Sequence, residues 1–389
     1  MSIRLKKDKE KAALNFHPWV FSGAIESVSK DTKPGQTVRV ESFSGSFLGW
    51  GHYDLKSQIR IRLFSFTETL SDASPEFWKD RFEIIFRNKK DLIDSNKTNA
   101  FRFLNSEGDG CPGFIVDCYA ATAVILFRTP GARLHKQTLF SFLKEKGFET
   151  ILEKKEKSDH SDEMISEYLK GNAKTSEFLE NGFKFTADLE SGQKTGFFLD
   201  QKENRFLLGE YSKGKTVLNT FGYSGAFSVY ALSNAASLVH TLDISKSAIE
   251  LCEKNLALNF DSEILKKHES IIADSFEYLK TMDSDFYDLI ILDPPAFTKS
   301  AATVPKATRG YKEINLKAIS KIKKGGLIFT FSCSQHISPD LFQKIVFGAA
   351  KDAKRNVKVL YKMTQSPDHG FSIYHPEGEY LKGLVIQVD

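Results

Sequence analysis

The carboxyl half of this chain alternates short β-rich runs with amphipathic stretches, and that alternation leaves few folds open. The runs are Thr216-Val217-Leu218, Leu238-Val239-His240-Thr241-Leu242, Ser270-Ile271-Ile272-Ala273, Leu289-Ile290-Ile291-Leu292 and Gly326-Leu327-Ile328-Phe329-Thr330-Phe331. Amphipathic stretches at 225–234, 245–259, 274–281 and 308–323 separate them. Strands that alternate with helices need crossover connections, and these produce a mostly parallel sheet.

In an open parallel sheet, ligands sit outside the carboxyl ends of the strands. The polar residues there carry the functional information. The first strand runs into Asn219-Thr220-Phe221-Gly222-Tyr223-Ser224-Gly225, the second into Asp243 and the third into Asp274. The fourth ends in Asp293-Pro294-Pro295 and the fifth in Ser332-Cys333-Ser334. Asp243 lies one βαβ unit after Asn219, the spacing at which an acidic group meets ribose hydroxyls. Helix capping through Ile244-Ser245 competes for the same carboxylate.

The loop at 219–225 is not a dinucleotide fingerprint, because Phe221 and Tyr223 stand at its first two glycine positions. A pyrophosphate needs close backbone approach, which those aromatics crowd. A ligand without phosphates has no such need, which turns the expectation toward S-adenosylmethionine. Gly192-Gln193-Lys194-Thr195-Gly196 is not a phosphate loop either, since the Gly-Lys-Ser/Thr ending is absent. In Asp293-Pro294-Pro295-Ala296-Phe297 two prolines stiffen the backbone and remove two N–H donors, leaving the carboxylate and nearby carbonyls to face a ligand. A rigid exit from the strand is the bland alternative. Cys333 follows an apolar strand, a position that favours a reactive thiolate; Cys111, Cys118 and Cys252 are expected to be buried and inert. His336 is taken as a surface histidine.

The amino half has a different texture. Val38-Arg39-Val40 and Ser46-Phe47-Leu48-Gly49-Trp50 flank a turn, and residues 57–64 alternate polar and apolar, so residues 1–70 are expected to form a small β-barrel. Ser74-Pro75 opens a helix carrying Phe77, Phe82, Ile85 and Phe86. A strand pair follows at 114–116 and 122–127, then a helix at about 132–146. The charged stretch 154–174 is expected to be a surface excursion.

The 54 Lys+Arg against 50 Asp+Glu leave a net charge of +4, so any nucleic-acid contact must use local basic charge. Four scattered cysteines without a Cys-x-x-Cys pair argue against a disulfide framework or a structural zinc site, and suit a reducing compartment. The charged amino terminus lacks the apolar core of a signal peptide, and no run reaches the length of a membrane span. The expectation is a cytoplasmic protein with no membrane and no metal.

A resemblance now becomes visible along nearly the whole chain. It rests on His17-Pro18-Trp19-Val20-Phe21-Ser22-Gly23-Ala24-Ile25, Glu107-Gly108-Asp109-Gly110-Cys111-Pro112-Gly113 and Ser191-Gly192-Gln193-Lys194-Thr195-Gly196-Phe197-Phe198-Leu199-Asp200-Gln201. It continues through Phe221-Gly222-Tyr223-Ser224-Gly225, Asp293-Pro294-Pro295-Ala296-Phe297 and Phe331-Ser332-Cys333-Ser334. Asp368-His369 and Pro376-Glu377-Gly378-Glu379-Tyr380-Leu381-Lys382-Gly383 complete it. In this order the motifs resemble the bacterial large-subunit rRNA 5-methylcytosine methyltransferases with an N-terminal PUA domain.

The resemblance implies an α/β class I (Rossmann-like) methyltransferase domain at 186–389 with a mostly parallel seven-stranded sheet. Before it would come a PUA-like β-barrel at 1–70 and a small α+β domain at 71–185. It implies S-adenosylmethionine as cofactor, held by Asn219, Phe221, Tyr223, Ser224 and Gly225, with Asp243 on the ribose and Ile244 beside it. Asp274 and Ser275 would lie near the adenine, with Gln201 and Asp293 nearby. Asn219 stands where relatives often carry Asp, so it can hydrogen-bond but brings no charge.

As a mechanism, Cys333 would add to C6 of a cytosine and Asp293 would hydrogen-bond the N3/amino edge of the base. The second cysteine that many RNA cytosine methyltransferases carry after the first proline is Pro295 here. The target base must leave its stack, and Phe297, Phe197 or Tyr223 are candidates to meet it, with core packing as the alternative for each. Lys194 and Arg205, with Arg39, Arg60 and Arg62 in the first domain, are candidate contacts to ribosomal RNA. The resemblance leaves room for a homodimer. Two rivals remain open: a methyltransferase acting on a guanine or adenine nitrogen, and a non-catalytic RNA-binding assembly protein.

Overall fold

The computed structural model describes residues 1–28, 30–68, 73–156, 164–190 and 192–389. Ser191 of the motif above, the expected boundary at residue 70 and positions 157–163 of the charged stretch lie outside the described residues. The chain packs as two compact units. The first comprises Met1–Gly182, Ala187–Phe197 and Pro367–Gly378; the second comprises Phe183–Thr186, Phe198–Ser366 and Glu379–Asp389.

The first unit holds two main sheets. A six-stranded sheet spans Ser2–Leu5 to Ile59–Ser65, and Thr37–Glu41 pairs antiparallel with Phe47–Tyr53 where a turn was expected between strands. Its inward residues, among them Val38, Val40, Ile61 and Leu63, form one apolar cluster. The helix Pro75–Asp91 is capped by Ser74, whose side chain accepts from Phe77 N, and it buries Trp78, Phe82 and Ile85. These pack on the second sheet, which has five strands.

Over 154–156 and 164–170 the charged stretch is built into a sheet, and only 171–174 of its described part is an exposed connection. Thr150–Glu156 and Met164–Lys170 are antiparallel strands of the five-stranded sheet. Its charges misled because they answer one another across the sheet. Lys155 pairs with Glu167 on the neighbouring strand, Glu167 also lies 2.8 Å from Lys136 of the helix Lys136–Glu145, and just before the stretch Glu153 is fully buried 2.9 Å from the same lysine. Lys154 is buried as well, and its ammonium donates to Gly192 O at 2.9 Å.

The second unit is built on a seven-stranded sheet. Its strands are Thr216–Thr220, Leu238–Asp243, His268–Ile272, Leu289–Leu292, Gly326–Ser332, Val357–Met363 and Lys382–Val388. Numbered in that order they lie side by side as 3-2-1-4-5-7-6. The first five are parallel, and Lys382–Val388 runs antiparallel between Gly326–Ser332 and Val357–Met363. The helices fall where the amphipathic stretches placed them: Ala226–Ser233, Lys246–Ala257, Ser275–Thr281 and Val304–Lys321. Leu289–Leu292 is buried at every position, as expected of a strand covered on both faces.

The order of the strands places a topological switch between Thr216–Thr220 and Leu289–Leu292. Chain direction across the sheet reverses there, and their carboxyl ends open a crevice.

Candidate active site

The carboxyl ends of the parallel strands collect the predicted residues along one edge. Thr220 is in register with both Leu242 and Leu292, so the 221–225 loop, Asp243 and Asp293 follow neighbouring strand ends. Leu292 is in register with Thr330, which brings the segment after Ser332, carrying Cys333, beside the Asp293-Pro294-Pro295 turn.

The loop turns without the usual glycines. Phe221 and Tyr223 both adopt positive φ, at 57° and 43°, a conformation that costs a side-chain-bearing residue on the order of 1 kcal/mol. The backbone N–H of Tyr223 offsets this by donating to Asp243 Oδ2 at 3.0 Å, and Gly222 N donates to Leu242 O at 2.9 Å. Gly225 has φ of 68°, and a Cβ there would overlap Cys252 Sγ and lie 3.1 Å from Cys252 Cα.

Asp243 holds the 221–225 loop and the approach to the next helix at once. Its Oδ1 accepts from Ser245 N at 2.9 Å, ahead of the helix that Ser245 caps, while Oδ2 holds the loop. A carboxylate has about four acceptor sites, so capacity remains for ribose hydroxyls. Beside it Ile244 is 70% exposed, and Ile272, in register with Asp243, is also exposed. These are apolar surfaces of the kind that receive a flat base. Asp274 caps the next helix, accepting from Phe276 N at 2.8 Å and Glu277 N at 3.1 Å, and Ser275 is buried behind it.

Asn219 tests whether the residues present suit the cofactor. Its Nδ2 donates to Ser228 Oγ at 3.0 Å, and Ser228, Thr241 and His268 continue the chain at 2.6 and 2.7 Å. Its Oδ1 is buried and has no partner. An unmet buried acceptor costs about 1–3 kcal/mol, and a donor on a bound ligand would relieve it. An exposed apolar pair, a carboxylate with spare capacity and a buried neutral acceptor fit a nucleoside that also carries an amino-acid group. Gln201 is buried on the same unit, its Oε1 accepting from Asn204 Nδ2 at 2.6 Å.

Cys333 is partly exposed, and its sulfur lies 4.0 Å from Pro294 O. The other three cysteines are buried; burial pushes the Cys118 thiol well above its ordinary range and Cys252 up to about 12. Asp293 is half-buried at the start of the turn. Phe297 meets the buried Tyr311 with ring centroids 4.5 Å apart and planes tilted by 37°, and the Tyr311 hydroxyl lies 2.9 Å from Ser334 Oγ. A concavity of about 550 Å³ opens at Phe297, lined also by Phe276, Lys306 and Arg309. Tyr223 meets Phe198 edge to face at 5.2 Å. His336 is exposed.

Several expected contacts are corrected. Arg205 is only 2% exposed and donates to Phe198 O at 2.9 Å, so it braces the chain leading to Gln201 and does not meet phosphates. Phe197 is buried against Phe178 at 5.0 Å and belongs to the core of the first unit, where no base can reach it. Arg62 pairs with Glu107 at 3.2 Å and Arg39 with Glu68 at 2.6 Å, so carboxylates already answer their charges. Arg60 donates to the carbonyls of Asp54 and Leu55. Lys194 is exposed.

Other residues of the site escaped the sequence. Asn255, fully buried, accepts from Thr186 N at 2.8 Å and donates to Ser224 O at 2.9 Å. The Tyr380 hydroxyl donates to Asp200 Oδ2 at 2.7 Å, next to Gln201. Lys382 reaches the Cys333 segment. Asparagine at a buried helical position was the only signal for the first; the others join residues far apart in the chain. Among the described residues no group of three or more His, Cys, Asp or Glu is placed to hold a metal ion, and no helix is long and apolar enough to cross a membrane.

Comparison with known proteins agrees with this geometry. Residues 3–66 match a PUA-like domain family, and residues 134–369 match the S-adenosylmethionine-dependent methyltransferase family. The chain is 38% identical to the ribosomal RNA large subunit methyltransferase I of Alteromonas mediterranea over 99% of this chain and 98% of that one. It is 37% identical to the protein of that name from Pseudoalteromonas atlantica, over 99% of each. A SAM-dependent methyltransferase structure from Streptococcus mutans superposes with a TM-score of 0.85 over the whole of both chains at 22% identity, a likeness of fold. With a seven-stranded methyltransferase sheet, a loop suited to the cofactor and full-length relatives, the chain belongs to the S-adenosylmethionine-dependent ribosomal RNA large subunit methyltransferase I family.

Proposed function

We propose that this protein methylates C5 of a cytosine in large-subunit ribosomal RNA through a transient covalent bond from Cys333. The observation that carries the reading is the position of Cys333. It is the one partly exposed thiol of four, and it follows the strand next to the one that ends at Asp293-Pro294-Pro295. The names of the full-length relatives support large-subunit ribosomal RNA as substrate.

Bound S-adenosylmethionine supplies an electrophilic methyl group. The chain's own residues must make a weak carbon nucleophile strong enough to take it. The Cys333 thiolate gives an electron pair to C6 of the cytosine, and the C5–C6 π pair becomes available at C5. Asp293 hydrogen-bonds the N3/amino edge and stabilises the adduct. Once C5 carries the methyl group, loss of its proton and departure of the thiolate from C6 restore the ring. Asn219, Asp243 and the loop backbone would hold the cofactor, and the exposed Ile244 and Ile272 would offer apolar surface to its base. The groove at Phe297, with Lys306 and Arg309 at its rim, suits an unstacked nucleotide. Lys194 and Arg60 are assigned to RNA contact in this reading, residues 1–70 to a domain that contacts RNA, and the protein to the cytoplasm.

The test is a substrate RNA in which the target cytosine carries fluorine in place of the C5 hydrogen, so that C5 has no proton to lose and the thiolate cannot be expelled. The wild-type protein is expected to form a complex that survives denaturing gels, and Cys333→Ala none. If Cys333→Ala keeps normal turnover on ordinary RNA, acceptance of the methyl group by a purine nitrogen replaces this reading.

A further inference from the structure

Lys382 opens the last strand, and its register partner across the antiparallel ladder is Ser332, the residue before Cys333. Its side chain is only 3% exposed. The ammonium donates to Ser334 O at 2.8 Å and to Tyr380 O at 2.7 Å. It therefore grips the carbonyl immediately after Cys333.

Both of those acceptors are neutral, and among the described residues no carboxylate lies within ion-pair distance of the Lys382 ammonium. A buried ammonium without a counter-ion is costly. Burial pushes Lys382 down to about 8, and the negative charges that push it back up are the Cys333 thiolate and the Glu379 carboxylate. Burial pushes the Tyr311 hydroxyl up, the same sulfur adds to that, and the hydroxyl lies 2.9 Å from Ser334 Oγ. Cys333 and Glu379 are both partly exposed, and of the two it is Cys333 whose neighbouring carbonyl, that of Ser334, the ammonium holds.

We propose that the Lys382 ammonium is the counter-charge that holds Cys333 as a thiolate. Lys382 is thus a positioning residue for the reaction, acting through the sulfur. The thiol proton leaves to solvent, the electron pair stays on sulfur, and the ammonium keeps all of its own protons. Its two hydrogen bonds to carbonyls also fix the backbone on which the sulfur is mounted. The inference rests on the reading of Cys333 as the nucleophile, but its test does not depend on methyl transfer.

The test uses the pH dependence of Cys333 alkylation. The other three cysteines are buried, so iodoacetamide followed by intact mass reads Cys333 in the folded full-length chain. The wild-type rate is expected to rise with a midpoint below the roughly 8.5 of a free cysteine. Lys382→Gln keeps donors but removes the charge, and its midpoint is expected to move up by at least one unit, slowing alkylation at pH 7 about tenfold. Lys382→Arg keeps the charge and is expected to restore the wild-type profile. Coincident profiles for wild type and Lys382→Gln overturn the proposal. So does a wild-type midpoint at or above about 8.5, a result that stands even if Lys382→Gln fails to fold. A low midpoint together with no covalent complex on fluorinated RNA defeats the adduct and leaves the pairing of Lys382 with the thiolate intact.

Discussion

The carboxylate of Asp243 accepts a hydrogen bond from the backbone N–H of Tyr223 at 3.0 Å. That bond joins the end of one parallel strand to the loop at the end of its neighbour, and holds Tyr223 at a positive φ. The same carboxylate accepts from Ser245 N at the start of the next helix. One side chain therefore shapes the cofactor loop and opens the helix that follows.

Replacing Asp243 by Ala is expected to weaken S-adenosylmethionine binding by ten- to a hundredfold, on the order of 1.4–2.7 kcal/mol. Stability should fall by about 1–2 kcal/mol from the lost loop and turn bonds. Calorimetric titration with the cofactor measures the first and urea unfolding the second. Unchanged affinity would show that the loop holds its shape without the carboxylate.

Asn255 ties Thr186 N to Ser224 O with no exposure to water. Asn255→Leu leaves one buried donor and one buried acceptor unmet. The expected destabilisation is about 2–4 kcal/mol, read from the urea midpoint at constant slope. Cofactor affinity should fall as well, because Ser224 belongs to the loop.

Gly225→Ala is expected to be among the most damaging small changes in this unit. The new methyl would overlap Cys252 Sγ at a φ of 68°. A loss of about 2–4 kcal/mol follows from strain and overpacking together. Because part of it is a clash with sulfur, Cys252→Ala should cost less in the Gly225→Ala background than alone. A double-mutant cycle by urea unfolding checks this, and strict additivity would exclude the clash.

Stability should fall on acidification. His52 is buried against Phe64 and Trp78, and burial pushes it down to about 3, with the neighbouring His135 pushing the same way. Below its unfolded value near 6.5 the unfolded chain binds the proton and the folded chain does not. Stability is therefore full above about 6.5 and declines as pH falls toward 3. This one group accounts for a loss on the order of 3 kcal/mol at pH 4. His52→Phe should flatten the decline between pH 6.5 and 4 in thermal unfolding scans, and an unchanged slope would place the effect elsewhere.

The periodicity of residues 216–331 determined the parallel sheet and the side of it on which the chemistry lies, because a strand–helix alternation has few ways to bury its apolar faces. The positions of Asp243, Asp274, Asp293 and Cys333 were legible for the same reason: each lies at or within two residues of a strand's carboxyl end, and a strand end is a local signal. Only tertiary structure decided what those residues touch. That Arg205 is a buried brace is settled by burial, and that Asn255 locks the Ser224 backbone and Lys382 holds the Ser334 carbonyl depends on pairings across tens of residues. The charged strand at 164–170 was misread for the same physical reason. Its charges are matched by partners on other elements, and a pattern read along the chain cannot show which charge will find a counter-charge and which will stay in water.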